Sequence, residues 1–174
     1  AVNNNASGAI SIQTSTISRN TTQGSSFGGG INNNWTGSIS IADSVVSENT
    51  AGGWGGGINN NDAGPAAIAL ATITGNSAEN GGGINNNDGG TVTVTSSSIS
   101  ANTATGTLGG GGILNNSLGT VTIAATTIGE NDSLGGNGGG IHNNSGGTVA
   151  VANSTVSGNT ATANTGVGEG GGSG

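Results

Sequence analysis

The sequence predicts an all-β fold, a right-handed parallel β-helix (solenoid) of about six coils with three short strands each. Six aliphatic residues, here called anchors, each open a block of constant length: Val2, Ile31, Ile58, Ile84, Ile113 and Ile141. Every anchor is followed by glycine at the sixth position, by branched aliphatic residues at the tenth and fifteenth, and by asparagine at the eighteenth. A fixed period of roughly 20–50 residues is typical of solenoids, propellers and arrays.

Three segments of each block have the composition of strands. The first is a glycine run with the anchor and its asparagines, as in residues 28–34. The second alternates small polar and apolar residues, as in residues 91–95, which is the period of a half-buried strand. The third, as in residues 154–159, is short and contains β-branched residues, which favour strands. Because parallel crossovers are right-handed in nearly all proteins, the coil is expected to be right-handed.

One repeat domain is expected over residues 1–174, with coils starting near residues 1, 28, 55, 81, 110 and 138. Coils stacked about 4.8 Å apart give a rod of roughly 29 Å. Four aliphatic columns are expected to fill its interior, at the anchors and at the eighth, tenth and fifteenth positions after them. Ala66 is the one small member of these columns, and it follows the only proline, Pro65.

Three asparagine columns predict ladders of side-chain amides between coils, because each amide can donate to one neighbour and accept from another. Ladder A comprises Asn20, Asn49, Asn76, Asn102, Asn131 and Asn159. Ladder B comprises Asn4, Asn33, Asn60, Asn86, Asn115 and Asn143, and ladder C comprises Asn5, Asn34, Asn61, Asn87, Asn116 and Asn144. Ladder A is expected at a corner, where asparagine tolerates left-handed geometry. The glycine at the sixth position is expected to have positive φ or a close backbone neighbour.

Composition restricts the classes of function. The chain has one Arg, no Lys, eight acidic residues and a net charge of −7. Nucleic-acid binding requires cations against phosphates, so it is not expected, and neither is docking on anionic lipid. Without Cys there is no disulfide or thiolate metal site, and no apolar span predicts membrane insertion. No cofactor is expected. The scarcity of charge favours an extracellular or cell-surface location.

The two signatures of the repeat resemble those of a known family. Gly28-Gly29-Gly30-Ile31 and Val46-Ser47-Glu48-Asn49 are similar to the Gly-Gly-Ala-Ile and Phe-x-x-Asn motifs of the chlamydial polymorphic membrane proteins. Here Ile or Val replaces the Phe of that motif. The resemblance implies a secreted or surface-exposed β-helix that serves in adhesion or as a scaffold.

Catalytic chemistry is not expected. Arg19 and His142 are the only basic side chains; Arg19 is expected to pair with Glu48 of the next coil, and His142 to occupy a surface position. Asp62 and Asp88 occupy equivalent positions on neighbouring coils, about 5 Å apart. Such a pair fits a calcium site better than a retaining glycosidase, although neighbouring ladder positions also produce acidic pairs by chance.

Aromatic residues mark the face where the block-to-block loops vary in length. Phe27 and Trp54 are equivalent and are expected to stack, while Trp35 lies at another corner. Local packing over the flexible glycines and contact with a sugar or partner are both open interpretations.

A non-catalytic, extracellular structural role follows from these observations. The chain holds a whole number of coils and no capping helix, and uncapped strand edges template further pairing. We therefore expect head-to-tail association between Val2 and Asn3–Asn5 of one copy and Gly170, Gly171 and Gly172 of the next, forming a filament. The other form of this hypothesis is a segment of a surface adhesin with a host surface or glycan as partner.

Ice binding is the alternative function. The outward positions of the third strands form a partial Thr/Ser array, from Thr16 and Ser18 to Thr155 and Ser157, with breaks at Val45 and Gly129. A polysaccharide-binding or -cleaving β-helix is the least favoured hypothesis.

Overall fold

A computed structural model describes residues 1–62 and 64–162 as a parallel β-solenoid of six coils. Each coil has four strands, and the described residues contain no helix. Consequently the described part has no helix long and apolar enough to cross a membrane. The strands of the first three coils are β1 Val2–Asn4, β2 Ala9–Gln13, β3 Thr16–Ser18, β4 Thr21–Thr22, β5 Ile31–Asn33, β6 Ser38–Ala42, β7 Val45–Ser47, β8 Thr50–Ala51, β9 Ile58–Asn60, β10 Pro65–Ala69, β11 Thr72–Thr74 and β12 Ser77–Ala78.

The other three coils repeat this arrangement. Their strands are β13 Ile84–Asn86, β14 Thr91–Thr95, β15 Ser98–Ser100, β16 Thr103–Ala104, β17 Ile113–Asn115, β18 Thr120–Ala124, β19 Thr127–Gly129, β20 Asp132–Ser133, β21 Ile141–Asn143, β22 Thr148–Ala152, β23 Thr155–Ser157 and β24 Thr160–Ala161. Corresponding strands of successive coils form four parallel six-stranded sheets, here called the first to fourth sheets in coil order. Their register joins equivalent residues, as in Ile84 with Ile58 and Ile113. The predicted parallel solenoid is confirmed.

The fourth strand of each coil was not predicted. It has two residues, lies directly after ladder A and pairs with its counterparts in neighbouring coils. Two residues are too few to show the alternation that identifies a strand from sequence. The coil therefore has the three expected strands and one additional short strand.

The interior is a stack of aliphatic columns. In the middle coils the anchor and the residues eight, ten and fifteen positions later have at most 3% exposure, and they are Ile84, Val92, Val94 and Ile99 in the fourth coil. The expected columns are confirmed, and Ala66 is buried at 3% exposure among larger neighbours. Contact between equivalent branched side chains helps to hold one coil on the next.

The glycine runs are required by a close approach within each coil. A Cβ built on Gly82 would lie 2.5 Å from the carbonyl carbon of Thr103, in the fourth strand of the same coil, and 2.6 Å from the carbonyl oxygen of Gly111. One built on the next residue, Gly83, would meet the ladder A side chain of Asn102 at 3.0 Å. The glycine run thus makes room for the fourth strand and for ladder A.

The corners recur at the same positions in every coil. The residue before each ladder A asparagine has positive φ, as in Arg19, Glu48 and Ala101. The left-handed corner was expected at the asparagine itself, so that prediction was wrong by one residue. The buried side-chain amides of ladder A instead form hydrogen bonds with the neighbouring coils. The glycine at the sixth position, as in Gly37, is a case of close approach, because its Cβ would lie 2.6 Å from the carbonyl oxygen of Ala6.

Candidate functional site

Ladder A runs through the interior along the stack. Each side-chain Nδ2 donates to the Oδ1 of the asparagine in the following coil, at 2.9 or 3.0 Å. From the second coil on, the same Nδ2 also donates to a third-strand carbonyl of the preceding coil, as from Asn102 to Ile73 at 3.0 Å. Asn49, Asn76, Asn102 and Asn131 have at most 1% exposure. The buried amides are therefore satisfied by each other and by the backbone.

Ladder B has the same direction. Its Nδ2 atoms donate to the Oδ1 of the following coil at 2.8 or 2.9 Å. Each also donates to the carbonyl of the corner glycine four residues later, as from Asn86 to Gly90 at 2.8 Å. Ladder B thus links the coils and closes the corner of each.

Ladder C has the opposite direction. Each Nδ2 donates to the Oδ1 of the preceding coil, at 3.0–3.3 Å. A fourth ladder, ladder D, runs in this direction through Asn3, Asn32, Asn59 and Asn85 at 2.7 or 2.8 Å. Sequence reasoning did not predict ladder D, because Leu114 and His142 occupy its positions in the last two coils.

The interruption of ladder D leaves a polar atom unpaired. Asn85 has 1% exposure, and its Oδ1 has no hydrogen-bond partner among the described residues. The side chain in register with it on the next coil is Leu114, which cannot donate.

Leu114→Asn is expected to give a more stable protein than Leu114→Ala, by about 1–2 kcal/mol of unfolding free energy. The new amide can donate to the Oδ1 of Asn85, whereas alanine leaves both a cavity and the unpaired oxygen. Urea denaturation of the two variants measures the difference. Equal stability, or a more stable alanine variant, would contradict this description of ladder D.

His142 differs from its expected surface position. Its side chain is half-buried, and its Nδ1 lies 2.5 Å from the carbonyl oxygen of Leu108. Because a carbonyl oxygen only accepts, Nδ1 carries the proton in this contact. The variable loop that contains Leu108 folds back over the outside of the first sheet, which sequence equivalence alone could not show.

The expected ion pair between Arg19 and Glu48 is present. Arg19 Nε donates to Glu48 Oε2 at 2.7 Å, and both side chains are largely solvent-exposed. The hydrogen bond and the charge of Glu48 raise the pKa of Arg19. An exposed pair of this kind contributes little to stability.

The two aspartates of the calcium hypothesis each accept a hydrogen bond from the preceding ladder C asparagine. Asn61 Nδ2 donates to Asp62 at 2.9 Å, and Asn87 Nδ2 donates to Asp88 at 2.7 Å. Within residues 1–62 and 64–162, no three His, Cys, Asp or Glu side chains lie together. Calcium takes six to eight oxygen ligands, and Asp62 and Asp88 supply only two carboxylates. The calcium site therefore stays a prediction.

Two of the three aromatic residues share a cleft. Phe27 and Trp54 line a cleft of about 190 Å³, together with Asn61, Asn85, Asn87 and Asp88. Phe27 is 49% exposed and Trp54 is half-buried. Trp35, 62% exposed at a left-handed corner, does not line this cleft. Ring stacking of Phe27 on Trp54 stays a prediction.

The Thr/Ser array lies in register along the third sheet. Thr16, Val45, Thr72, Ser98, Thr127 and Thr155 form one row. The breaks at Val45 and Gly129 interrupt the hydroxyl spacing, and ice binding stays a prediction.

Aliphatic side chains of the sixth coil, at one end of the described solenoid, are more exposed than their equivalents in the middle coils. Val151 and Val156 of the sixth coil are 45% and 51% exposed, whereas Val94 and Ile99 at equivalent positions of the fourth are fully buried. At the other end, the amino group of Ala1 donates to Asn20 Oδ1 at 2.7 Å. Gly170, Gly171 and Gly172, which were expected to contribute to end contacts, lie outside the described residues.

Comparisons with known proteins give no match: the chain matches no protein-family model, no curated protein and no solved structure. The likeness to the chlamydial polymorphic membrane proteins therefore rests on the repeat motifs alone.

Proposed function

We propose that the chain is a non-catalytic, extracellular structural solenoid whose end coils join head to tail with further copies of itself. The observation that carries this proposal is the direction of the asparagine ladders. Each ladder that spans all six coils ends in a donor at one end of the rod and in an acceptor at the other. For each ladder taken by itself, the two ends are complementary to each other and not to themselves.

Ladders A and B present donors at the sixth coil and acceptors at the first. Asn159 Nδ2 donates one hydrogen to Ile128, and Asn143 Nδ2 donates one to Gly147. An amide nitrogen carries two hydrogens, so each has one left for a following coil. In a second copy, the Oδ1 atoms of Asn20 and Asn4 are the equivalent acceptors. Asn20 Oδ1 already accepts from the amino group of Ala1, and its second lone pair is the one that would accept from the next copy.

Ladder C supplies the reverse pair. The Oδ1 of Asn144 is its acceptor end at the sixth coil, and the Nδ2 of Asn5 is its donor end at the first. Head-to-tail contact continues all three ladders in line, whereas head-to-head contact of a ladder with its own copy places donor against donor or acceptor against acceptor. The complementary arrangement is heterologous and generates an open rod.

Burial of aliphatic side chains also favours the addition of a further coil at this end. The exposed Val151 and Val156 are members of columns that are fully buried in the middle coils, and a further coil would remove them from water. In the adhesin form of this proposal, the edge of the sixth coil would instead be covered by further coils of the same chain. The low charge of the sequence, with one cation, supports the extracellular setting.

Val156→Lys is expected to weaken self-association at least about 100-fold, because it places an unpaired ammonium in the junction. Val156 is already half exposed, so the single copy should still fold. Sedimentation velocity over a range of concentrations measures the association of the 174-residue chain.

The matched control is Thr155→Lys, which adds the same charge at the outward-facing, exposed neighbour on β23. This variant should associate like the unmodified protein. Head-to-tail joining at this edge would be overturned if the Val156→Lys protein associated as strongly as the unmodified protein. It would also be overturned if the unmodified protein stayed monomeric at all concentrations.

A further inference from the structure

The cleft beside Phe27 and Trp54 has the chemistry of a carbohydrate site, and we infer that it binds one ring of a neutral sugar chain. This inference does not depend on end-to-end association. It rests on the aromatic and polar side chains that line the cleft, on its charge, and on the unpaired Oδ1 of Asn85.

The aromatic wall is held by paired backbone. The Gly28 amide nitrogen, next to Phe27, donates to the carbonyl oxygen of Trp54 at 2.9 Å, and Trp54 forms a parallel bridge with Asn80. The two aromatic side chains thus stand on neighbouring coils at the same position. A pair of partly exposed aromatic side chains at equivalent positions suits the apolar C–H face of a pyranose ring.

The other lining residues supply amides and a carboxylate. Asn61 and Asn87 are half-buried members of ladder C, and Asp88 is exposed with its carboxylate held by Asn87. Amides donate and accept, and a carboxylate accepts more than one hydrogen bond. Hydroxyl groups on a sugar ring match this set because each can both donate and accept.

The lining of the cleft includes one side-chain amide of ladder D that is only partly hydrogen-bonded, since the Nδ2 of Asn85 donates to Asn59. Asn85 lines the cleft, and its Oδ1 accepts no hydrogen bond from the described residues. An acceptor buried without a donor is costly. A ligand hydroxyl entering beside Asn85 is the donor that this oxygen lacks.

Size and charge define the ligand further. At about 190 Å³ the cleft is smaller than the pockets of drug-sized ligands, so it accommodates a single ring of a longer chain. The only Lys or Arg of the protein is Arg19, which is not among the lining residues. The carboxylate of Asp88 repels acidic sugars, and the ligand class is therefore a neutral glycan.

The first experiment uses Trp54 as the reporter. Trp35→Ser copies the residues found at the equivalent corner, Ser117 and Ser145, and leaves Trp54 as the only tryptophan. Fluorescence titrations use cellotetraose, mannotetraose and chitotetraose as neutral probes, with tetragalacturonate as the acidic probe. We expect a saturable change with at least one neutral probe, at roughly millimolar affinity, and none with tetragalacturonate.

Variants that copy native residues of neighbouring coils then locate the site. Trp54→Asn reproduces Asn80, and Asn85→Leu reproduces Leu114. Each should lower the affinity for the neutral probe at least about tenfold by calorimetry, whereas Trp35→Ser alone should not change it. No saturable response to any neutral probe, equal binding of tetragalacturonate, or binding that survives Trp54→Asn would each overturn the inference.

Discussion

Asn102→Ala is expected to lower the free energy of unfolding by about 3–5 kcal/mol, one of the two largest single-residue effects in this fold. Asn102 has no exposed surface and is hydrogen-bonded on both sides. Its Oδ1 accepts from the Nδ2 and the backbone nitrogen of Asn76, and its Nδ2 donates to Asn131 and Ile73. Alanine leaves several buried polar groups without partners, and each costs about 1–3 kcal/mol. Urea denaturation followed by circular dichroism measures the loss.

The matched control for this prediction is Asn87→Ala in ladder C. Asn87 is also bonded to both neighbouring coils, but it is half-buried and water can replace its partners. Its loss should cost about 1 kcal/mol. If both variants lost the same stability, ladder A would not have the special structural role assigned to it.

Gly82→Ala is expected to destabilise the protein by about 3 kcal/mol or more. The added Cβ would lie 2.5 Å from the carbonyl carbon of Thr103 and 2.6 Å from the carbonyl oxygen of Gly111. These are backbone atoms of the same coil and of the next one, so no side chain can rotate away. Relief of the clash requires the fourth strand to separate from the glycine run. The midpoint of thermal unfolding should fall accordingly.

Gly75→Ala is the control for Gly82→Ala. Gly75 has a φ of 65°, and its Cβ would have no neighbour closer than 3.7 Å. Ala101 and Glu130 already occupy the equivalent corner with positive φ, so alanine is accommodated there at a cost within about 1 kcal/mol. A Gly82→Ala protein as stable as the Gly75→Ala protein would show that the close approach does not hold the coil closed.

The aspects of this fold that recur in every coil could be predicted from the sequence. In a parallel stack with one register, equivalent residues are spatial neighbours, so sequence equivalence gives contacts directly. The pairing of Arg19 with Glu48 and the bonds along ladders A, B and C follow from this rule. The burial of the aliphatic columns follows because each strand alternates in period two.

Other aspects depend on how unlike segments meet, and equivalence does not reveal these. The fourth strand, such as Thr103–Ala104, is fixed by its contact with the glycine run. The half-buried position of His142 depends on the path of the loop containing Leu108. The joint lining of one cleft by Phe27 and Asn85 brings together a loop and a strand two coils apart, and only the structure could show it.

Negative-stain electron microscopy of the purified 174-residue chain tests the central claim, head-to-tail joining of coils, most directly. One copy should be about 29 Å long from the stacking of its six coils at about 4.8 Å. The ladder directions predict unbranched rods of constant width that extend well beyond this length and grow with protein concentration. Particles that keep the length of one copy at every concentration would contradict it.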